Sequence, residues 1–406
     1  MATNNNDKTL NVPHLRFPEF SGEWEEHQLR NVCKLLSGGT PALDISCYWN
    51  GNIPFISATA MHKPYIIDSE QYLSEEGLVH GSKLLKQGNL LLLVRGSMLW
   101  KRIPVCYNRV DVAFNQDVKG IIPNNVTNSL FLLYWFLSQE NRIKYMVTGT
   151  GIGAGKLDME DLLSMKILLP LQDEQRKVVS LLQLIDARIA TQNKIIEDLK
   201  KLKSAIVDNT FTNDAKSCRK QILLSDISTK ITRKNTDNQI SNVLSNSANQ
   251  GVVPQSEVFD REIANEDSTS NYFVISQNDF VYNPRKSVTA PYGPINKYNG
   301  ELDGVISPLY LCFRTHDIDV DYLVWYFKSR SWYEYVYKNG DSGVRHDRVS
   351  IKDNVFFSMP LNIHSAQGQK EIAKHLNVIE RFVRQEEQYL SLIQSQKDYL
   401  LQQMFI

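Results

Sequence analysis

One long segment occurs twice in this chain, and that repetition limits its fold more than any other feature. Gln175 to Phe211 aligns without gaps on Gln369 to Phe405, with identical pairs at Gln175/Gln369, Leu182/Leu376, Ile185/Ile379, Lys203/Lys397 and Phe211/Phe405. A Pro-Leu step precedes each copy, at Pro170-Leu171 and Pro360-Leu361. Upstream the likeness is weaker but keeps its order. Leu29-Arg30-Asn31-Val32 answers Leu224-Ser225-Asp226-Ile227, and Gly88-Asn89-Leu90 with Arg95 and Ser97 answers Asn278-Asp279-Phe280 with Arg285 and Ser287. Leu132 and Phe136 answer Leu323 and Phe327, and Gly149 answers Gly340. So long a period means duplicated domains and not a solenoid. Between these landmarks the two heads diverge, which points to two modules of one kind reading two different targets.

The repeated segment is a coiled-coil helix. In the first copy apolar residues fall at Val178, Leu182, Ile185, Ile189, Ile196, Leu199 and Ile206, with steps alternating between four and three. The second copy repeats the seam at Ile372, Leu376, Ile379, Val383, Leu390, Ile393 and Leu400. That is a heptad period, which belongs to helix-helix pairing. Polar residues interrupt both seams at matching places, Gln192 and Lys203 in one and Glu386 and Lys397 in the other. At ~1.5 Å per residue each rod is about 50 Å long. Neither can bury its stripe alone. Pairing them with each other, antiparallel because a head lies between, predicts Lys203 opposite Glu386 and Gln192 opposite Lys397, since buried polar seam residues fix register.

Chemistry of the enzymatic kind is hard to find. Gly149 to Lys156 imitates a phosphate loop, but Thr150 stands where a glycine is required and Leu157 where Ser or Thr would hold magnesium. It reads as a flexible glycine loop. Asn283-Pro284-Arg285-Lys286 has the start of an adenine-methyltransferase tetrapeptide without its second proline or its aromatic residue, and no GxGxxG follows a strand. The 8 histidines show no metal-ligand spacing; His27, His62, His80 and His346 read as surface or packing residues. GxSxG is absent too. The 5 cysteines are scattered, with no CxxC, which favours a reducing cytoplasm over disulfides or zinc. The longest apolar run, Leu130 to Leu137, is too short to span a membrane and reads as a buried helix. Met1 to Asp7 is polar, with no signal-peptide core, and reads as a frayed tail. No catalytic residue, metal site or cofactor site is expected in this chain.

Binding is a better prospect, though the 45 basic residues are balanced by 45 acidic ones. A nucleic-acid reader of neutral charge must concentrate its cations locally or borrow them from partners. Lys83 to Arg109 carries Lys83, Lys86, Arg95, Lys101, Arg102 and Arg109 and no acid. There Leu90 to Val94 reads as a buried strand and Arg95-Gly96-Ser97 as the loop leaving it. An arginine at a rigid strand end can present its fork to guanine, while Lys101 and Arg102 suit phosphates. The matching site in the second head is Arg285-Lys286-Ser287, after a strand Phe280 to Tyr282. Arg330, Lys338, Arg345, His346 and Arg348 surround a second glycine loop, Gly340 to Gly343, and Lys216, Arg219 and Lys220 follow the first rod.

These residues resemble a known family. Ser37-Gly38-Gly39-Thr40-Pro41, Tyr48-Trp49-Asn50-Gly51 and Ile53-Pro54-Phe55-Ile56 are similar to the opening of a target recognition domain. Gly88-Asn89-Leu90, Arg95-Gly96 and Phe114-Asn115-Gln116-Asp117 follow in the same order, before Leu169-Pro170-Leu171-Gln172-Asp173-Glu174-Gln175. With the segment Leu15 to Phe20, the whole chain resembles the specificity (S) subunit of type I restriction-modification systems. The second copy departs from the pattern, with Lys230-Ile231-Thr232-Arg233 in place of the Gly-Gly-Thr-Pro opening and Ser365-Ala366-Gln367-Gly368-Gln369 at its helix start.

The resemblance implies a non-catalytic subunit whose heads each read one half of a split sequence in double-stranded DNA. It implies a pair of helices that set the spacer and dock two methyltransferase (M) subunits, which carry S-adenosylmethionine. Restriction (R) subunits with ATP and Mg would join that core. The expected fold is α/β (α+β), with two target recognition domains separated by two long antiparallel coiled-coil helices in a pseudo-two-fold duplication. The expected domains are 1–168, the long helix 169–211, the second recognition domain 212–358 and the long helix 359–406. Candidate DNA-binding residues are Lys83, Arg95, Ser97, Lys101, Arg102, Arg285, Lys286, Ser287, Arg330, Lys338, Arg345 and Arg348. Candidate pairing and docking residues are Leu182, Ile185, Ile189, Gln192, Lys203, Leu376, Ile379, Val383, Glu386 and Lys397. Two other classes remain open on the residues alone, a degenerate orphan DNA methyltransferase and a scaffold that does not bind DNA.

Overall fold

Apolar side chains in the first head gather on short strands and one helix that is apolar between its terminal serines. The computed structural model describes residues 11–150, 153–213, 220–257, 269–341 and 347–406. They form two compact units, one of residues 1–192 with 389–406 and the other of 193–388. Each unit therefore holds one head and a part of each long helix, Gln172–Asp208 and Ala366–Met404.

The first unit centres on a five-stranded sheet ordered Cys33–Ser37, Val118–Pro123, Leu90–Leu93, Val105–Asn108, Tyr65–Ile66. Its middle strand is apolar on both faces and all four of its residues are buried, as expected of a strand covered on both sides. The apolar run noted above is the helix Ser129–Ser138, with Phe131 to Phe136 all buried. Asn128 caps it, its side chain accepting from the Leu130 and Phe131 amides, because the first amides of a helix have no partner within it. A four-stranded sheet places Trp49–Ile56 between Tyr72–Leu73 and Val112–Phe114, with Leu84–Leu85 beyond. Here the Gly-Gly of Ser37 to Pro41 has a steric cause. A β-carbon on Gly38 would stand 2.2 Å from the Phe114 carbonyl oxygen, and the Gly39 amide donates to that oxygen at 3.0 Å.

Glu174 and Gln175 tie the first long helix to its head. Glu174 is buried and accepts from Arg16 through both oxygens at 2.8 Å, and from the Trp24 indole at 3.2 Å. Gln175 is fully buried; it accepts from the Asn128 amide at 2.8 Å and donates to the Val126 and Pro170 carbonyls. The far end of the second long helix closes the same core, where Phe405 packs against Phe131 with ring centroids 5.0 Å apart. Leu15 donates its amide to the Gln403 carbonyl at 2.9 Å.

The second unit repeats this scheme. One four-stranded sheet runs Ser228–Lys230, Leu311–Thr315, Phe280–Tyr282, Ile295–Lys297, and another runs Gly251–Pro254, Val243–Ser247, Gly304–Ile306, Phe273–Ile275. The helix Val320–Lys328 is capped by Asp319, whose amide donates to Gln369 at 3.0 Å. Gln369 thus does what Gln175 does. Phe211 packs against Tyr322 at 5.3 Å, as Phe405 packs against Phe131.

Within each unit the two long helices run antiparallel, but not in the register predicted from the seam. Lys203 pairs with Glu380 at 2.6 Å instead of Glu386, and Lys397 pairs with Asp186 at 2.6 Å instead of Gln192. The predicted register placed Lys397 against a neutral amide. A half-buried ammonium is held far better by a carboxylate, and both lysines reach the acid just beside the seam. Seam residues Val178, Leu182, Ile196, Leu376, Val383 and Ile393 are buried.

Candidate nucleic-acid interface

The strand Leu90–Leu93 is followed not by a loop but by a second short strand. Arg95–Gly96 pairs with Gly155–Leu157, which pairs in turn with Val147–Gly149. The expected flexible loop around Gly149 to Lys156 is therefore a β-hairpin; Gly151 and Ile152 lie outside the described residues. Thr150 closes it, its amide and hydroxyl both donating to the Ala154 carbonyl at 2.9 and 2.8 Å. The Trp100 indole donates to the Gly153 carbonyl at 3.0 Å. A β-carbon on Gly155 would meet Val147 at 2.8 Å, so close strand contact requires glycine there. Arg95 and Lys156 sit directly opposite each other across the ladder, and both are exposed.

The other cations of the first head divide into engaged and free. Arg102 spends its guanidinium on the Met61 and His62 carbonyls at 2.6 and 3.3 Å, and so braces a loop. Lys86 pairs with Asp111 at 2.8 Å, and Arg109 stacks 4.6 Å over the Tyr65 ring. Lys83, Arg95, Lys101 and Lys156 are exposed and carry no ion pair among the described residues. Ser97 is exposed at the start of the turn Ser97–Trp100, and Trp100 beside it is half exposed.

In the second head Arg285 takes the place of Arg95. It bridges across to Arg348, as Arg95 does to Lys156. The framing bonds repeat too: Leu157 donates its amide to the Val94 carbonyl at 2.9 Å, and Val349 to the Pro284 carbonyl at 2.9 Å. Lys286 is half-buried and its amide donates to the Asp347 carbonyl, while Ser287 is exposed at a tight turn closed onto Ala290. Arg285, Lys286 and Arg348 border a cavity of about 270 Å³ that also touches Asn246, Asn283 and Tyr310. Arg330 lies elsewhere, paired with Asp208 of the first long helix at 2.8 Å, and Lys338 pairs with Glu334 along its own helix. Arg345 and His346 fall outside the described residues, as do Gly343, Lys216 and Arg219.

Lys156 is not among the residues expected from the sequence to touch DNA. The repeat is the signal that marks it, since Lys156 faces Arg95 as Arg348 faces Arg285.

The helix positions carry their own electrostatics. Asp186 accepts from the Tyr134 hydroxyl at 2.7 Å and from Tyr65 at 3.1 Å as well as pairing with Lys397. Burial, with the Asp186 charge adding to it, pushes the Tyr65 hydroxyl up to about 12 and Tyr134 in the same direction, so both remain donors. In the second unit burial works to raise the Glu380 carboxyl, but the Lys203 hydrogen bond and the charges of Lys328, Lys203 and Arg384 outweigh it and hold it low. Among the described residues no cluster of His, Cys, Asp or Glu could hold a metal ion, and no helix is long and apolar enough to cross a membrane.

Comparison with known proteins agrees with this layout. Residues 21–201 match the family described as Type I restriction modification DNA specificity domain. The type I restriction enzyme EcoR124I/EcoR124II specificity subunit of Escherichia coli is 32% identical over 187 residues, 46% of this chain and 45% of that protein. The MjaIX specificity subunit of Methanocaldococcus jannaschii is 25% identical over 196 residues, 47% of this chain and 44% of that one. The matched part thus spans about half the length of these curated relatives. The solved S subunit of the type I restriction-modification system of M. genitalium has the same fold, with a TM-score of 0.52 over 97% of this chain and 99% of its own, at 15% identity. A chain from a structural study of assembly and conformational transition of the type I R-M system matches with a TM-score of 0.58 over 93% of this chain and 96% of its own, at 13% identity. Residues 21–201 thus match the type I restriction modification DNA specificity domain, and the chain as a whole has the fold of solved type I S subunits.

Proposed function

We propose that this chain is the DNA-sequence-specificity subunit of a type I restriction-modification complex, with each head reading one half of a split target. The observation that carries this reading is the recurrence of one basic cross-strand pair, Arg95 with Lys156 and Arg285 with Arg348, on two heads whose surroundings differ. Equivalent frames with different neighbours suit two different half-sequences. Arg95, Arg285 and Arg348 face base edges, while Lys83, Ser97, Lys101, Lys286 and Ser287 position the heads on the backbone.

The long helices set the distance between half-sites and dock methyltransferase subunits. In the first unit Leu184 is 70% exposed, and in the second its repeat-mate Val378 is 50% exposed. An exposed apolar residue at the same place in both copies fits two copies of one partner. This chain contributes recognition and no catalysis or cofactor. S-adenosylmethionine belongs to the methyltransferase subunits, and ATP and Mg to restriction subunits. Partner cations complete the grip on DNA for a chain of balanced charge.

The test is to assemble the chain with its methyltransferase subunits and map methylation on a randomised plasmid library. A split motif with a fixed gap is expected. Methylation without sequence preference defeats the proposal, and so does methyl transfer by the chain alone.

A further inference from the structure

Two cations placed directly opposite each other across a β-ladder repel, and such a pair destabilises a sheet. This chain holds that arrangement twice. Arg95 faces Lys156 in the first head, and Arg285 faces Arg348 in the second. In the first head no ion pair among the described residues relieves the repulsion. Arg285 likewise has no ion pair among the described residues, while Arg348 pairs with the Asp347 carboxylate at 3.8 Å and keeps its Nε buried without a hydrogen bond. In the first head Trp100 and Thr150 also pin the hairpin that carries Lys156. A pair of adjacent cationic donors, repeated while its neighbours change, calls for a ligand with two closely spaced acceptors.

We infer that each cross-strand pair is a single guanine-reading element, with Lys156 and Arg348 as specificity-determining residues alongside Arg95 and Arg285. Guanine presents N7 and O6 together in the major groove, and paired donors on them discriminate strongly against other bases. A phosphate also accepts such donors, but it would carry no sequence information. This inference rests on the DNA-reading function proposed above.

The experiment measures duplex binding by the chain assembled with its methyltransferase subunits. In one series each guanine of the recognised site is replaced in turn by 7-deazaguanine, which loses the N7 acceptor and keeps pairing and phosphate. In the other, each phosphate is replaced in turn by methylphosphonate. For the unmodified chain, one 7-deaza position in the first half-site is expected to weaken binding about tenfold. In Lys156→Met the same replacement is expected to cost less than twofold, and Lys156→Arg should restore the full penalty. Arg348→Met should behave likewise in the second half-site only. If Lys156→Met instead weakens every duplex alike, keeps the 7-deaza penalty and loses a methylphosphonate penalty, the pair grips phosphate and the inference is wrong. If the unmodified complex binds all duplex sequences alike, the proposed function fails first and takes this inference with it.

Discussion

Lys397 pairs with Asp186 at 2.6 Å, and the repeat copies that contact onto Lys203 and Glu380 at the same distance. Both members of the first pair are mostly buried, and Asp186 also receives two tyrosine hydroxyls. Lys397→Met leaves a carboxylate that keeps those two hydroxyls and loses its ammonium partner. The expected loss is about 2 kcal/mol, the scale of a hydrogen bond to a charged group. Urea denaturation of Lys397→Met and of the double variant with Asp186→Asn checks it, because the double variant should recover part of the loss.

Acid should loosen the second pair. The Glu380 carboxyl is held below its ordinary value, so its contribution is complete above the value it has in the unfolded chain. That contribution disappears as pH falls through the lower, folded value. Denaturation curves for the unmodified chain and Glu380→Gln should differ at pH 7 and converge as the acid range is entered. A difference unchanged by pH contradicts this assignment.

Phe405 and Phe211 end the two repeated segments and plug equivalent cores, against Phe131 and Tyr322. Both are buried, so Phe405→Ala and Phe211→Ala should each cost about 3–5 kcal/mol. Hydrogen exchange should locate the loosening in the first unit for Phe405→Ala and in the second for Phe211→Ala.

Arg102 and Lys101 are neighbours with opposite fates. Arg102→Ala frees the Met61 and His62 carbonyls and should lower stability by about 1–3 kcal/mol. Lys101→Ala, at an exposed site, should leave stability unchanged and weaken DNA binding equally on all sequences. Thermal melting together with binding to matched and unmatched duplexes separates the two.

Much of this was legible in the residues. The heptads gave both long helices, and the run Leu130 to Leu137 gave the buried helix. Register was not legible, because a seam of period 3.5 tolerates several alignments and the lysines chose Asp186 and Glu380 beside it. Nor was the hairpin at Gly149 to Lys156, whose glycines serve close strand contact where the pattern looked like a mobile loop. Arg102 and Arg330 show the general difficulty with charge. A basic residue looks the same in a sequence whether it meets solvent, a carbonyl or, as Arg330 does, an aspartate at a helix end.

The central claim is that each head reads its own half of a split target. Base preference at every position of that target, measured for the assembled complex carrying Arg95→Ala or Arg285→Ala, tests it most directly. The account predicts relaxed preference in one half for Arg95→Ala and in the other half for Arg285→Ala, with each lost contact worth about 1–3 kcal/mol. If both substitutions relax the same half, or weaken all positions evenly, the two-head account is contradicted.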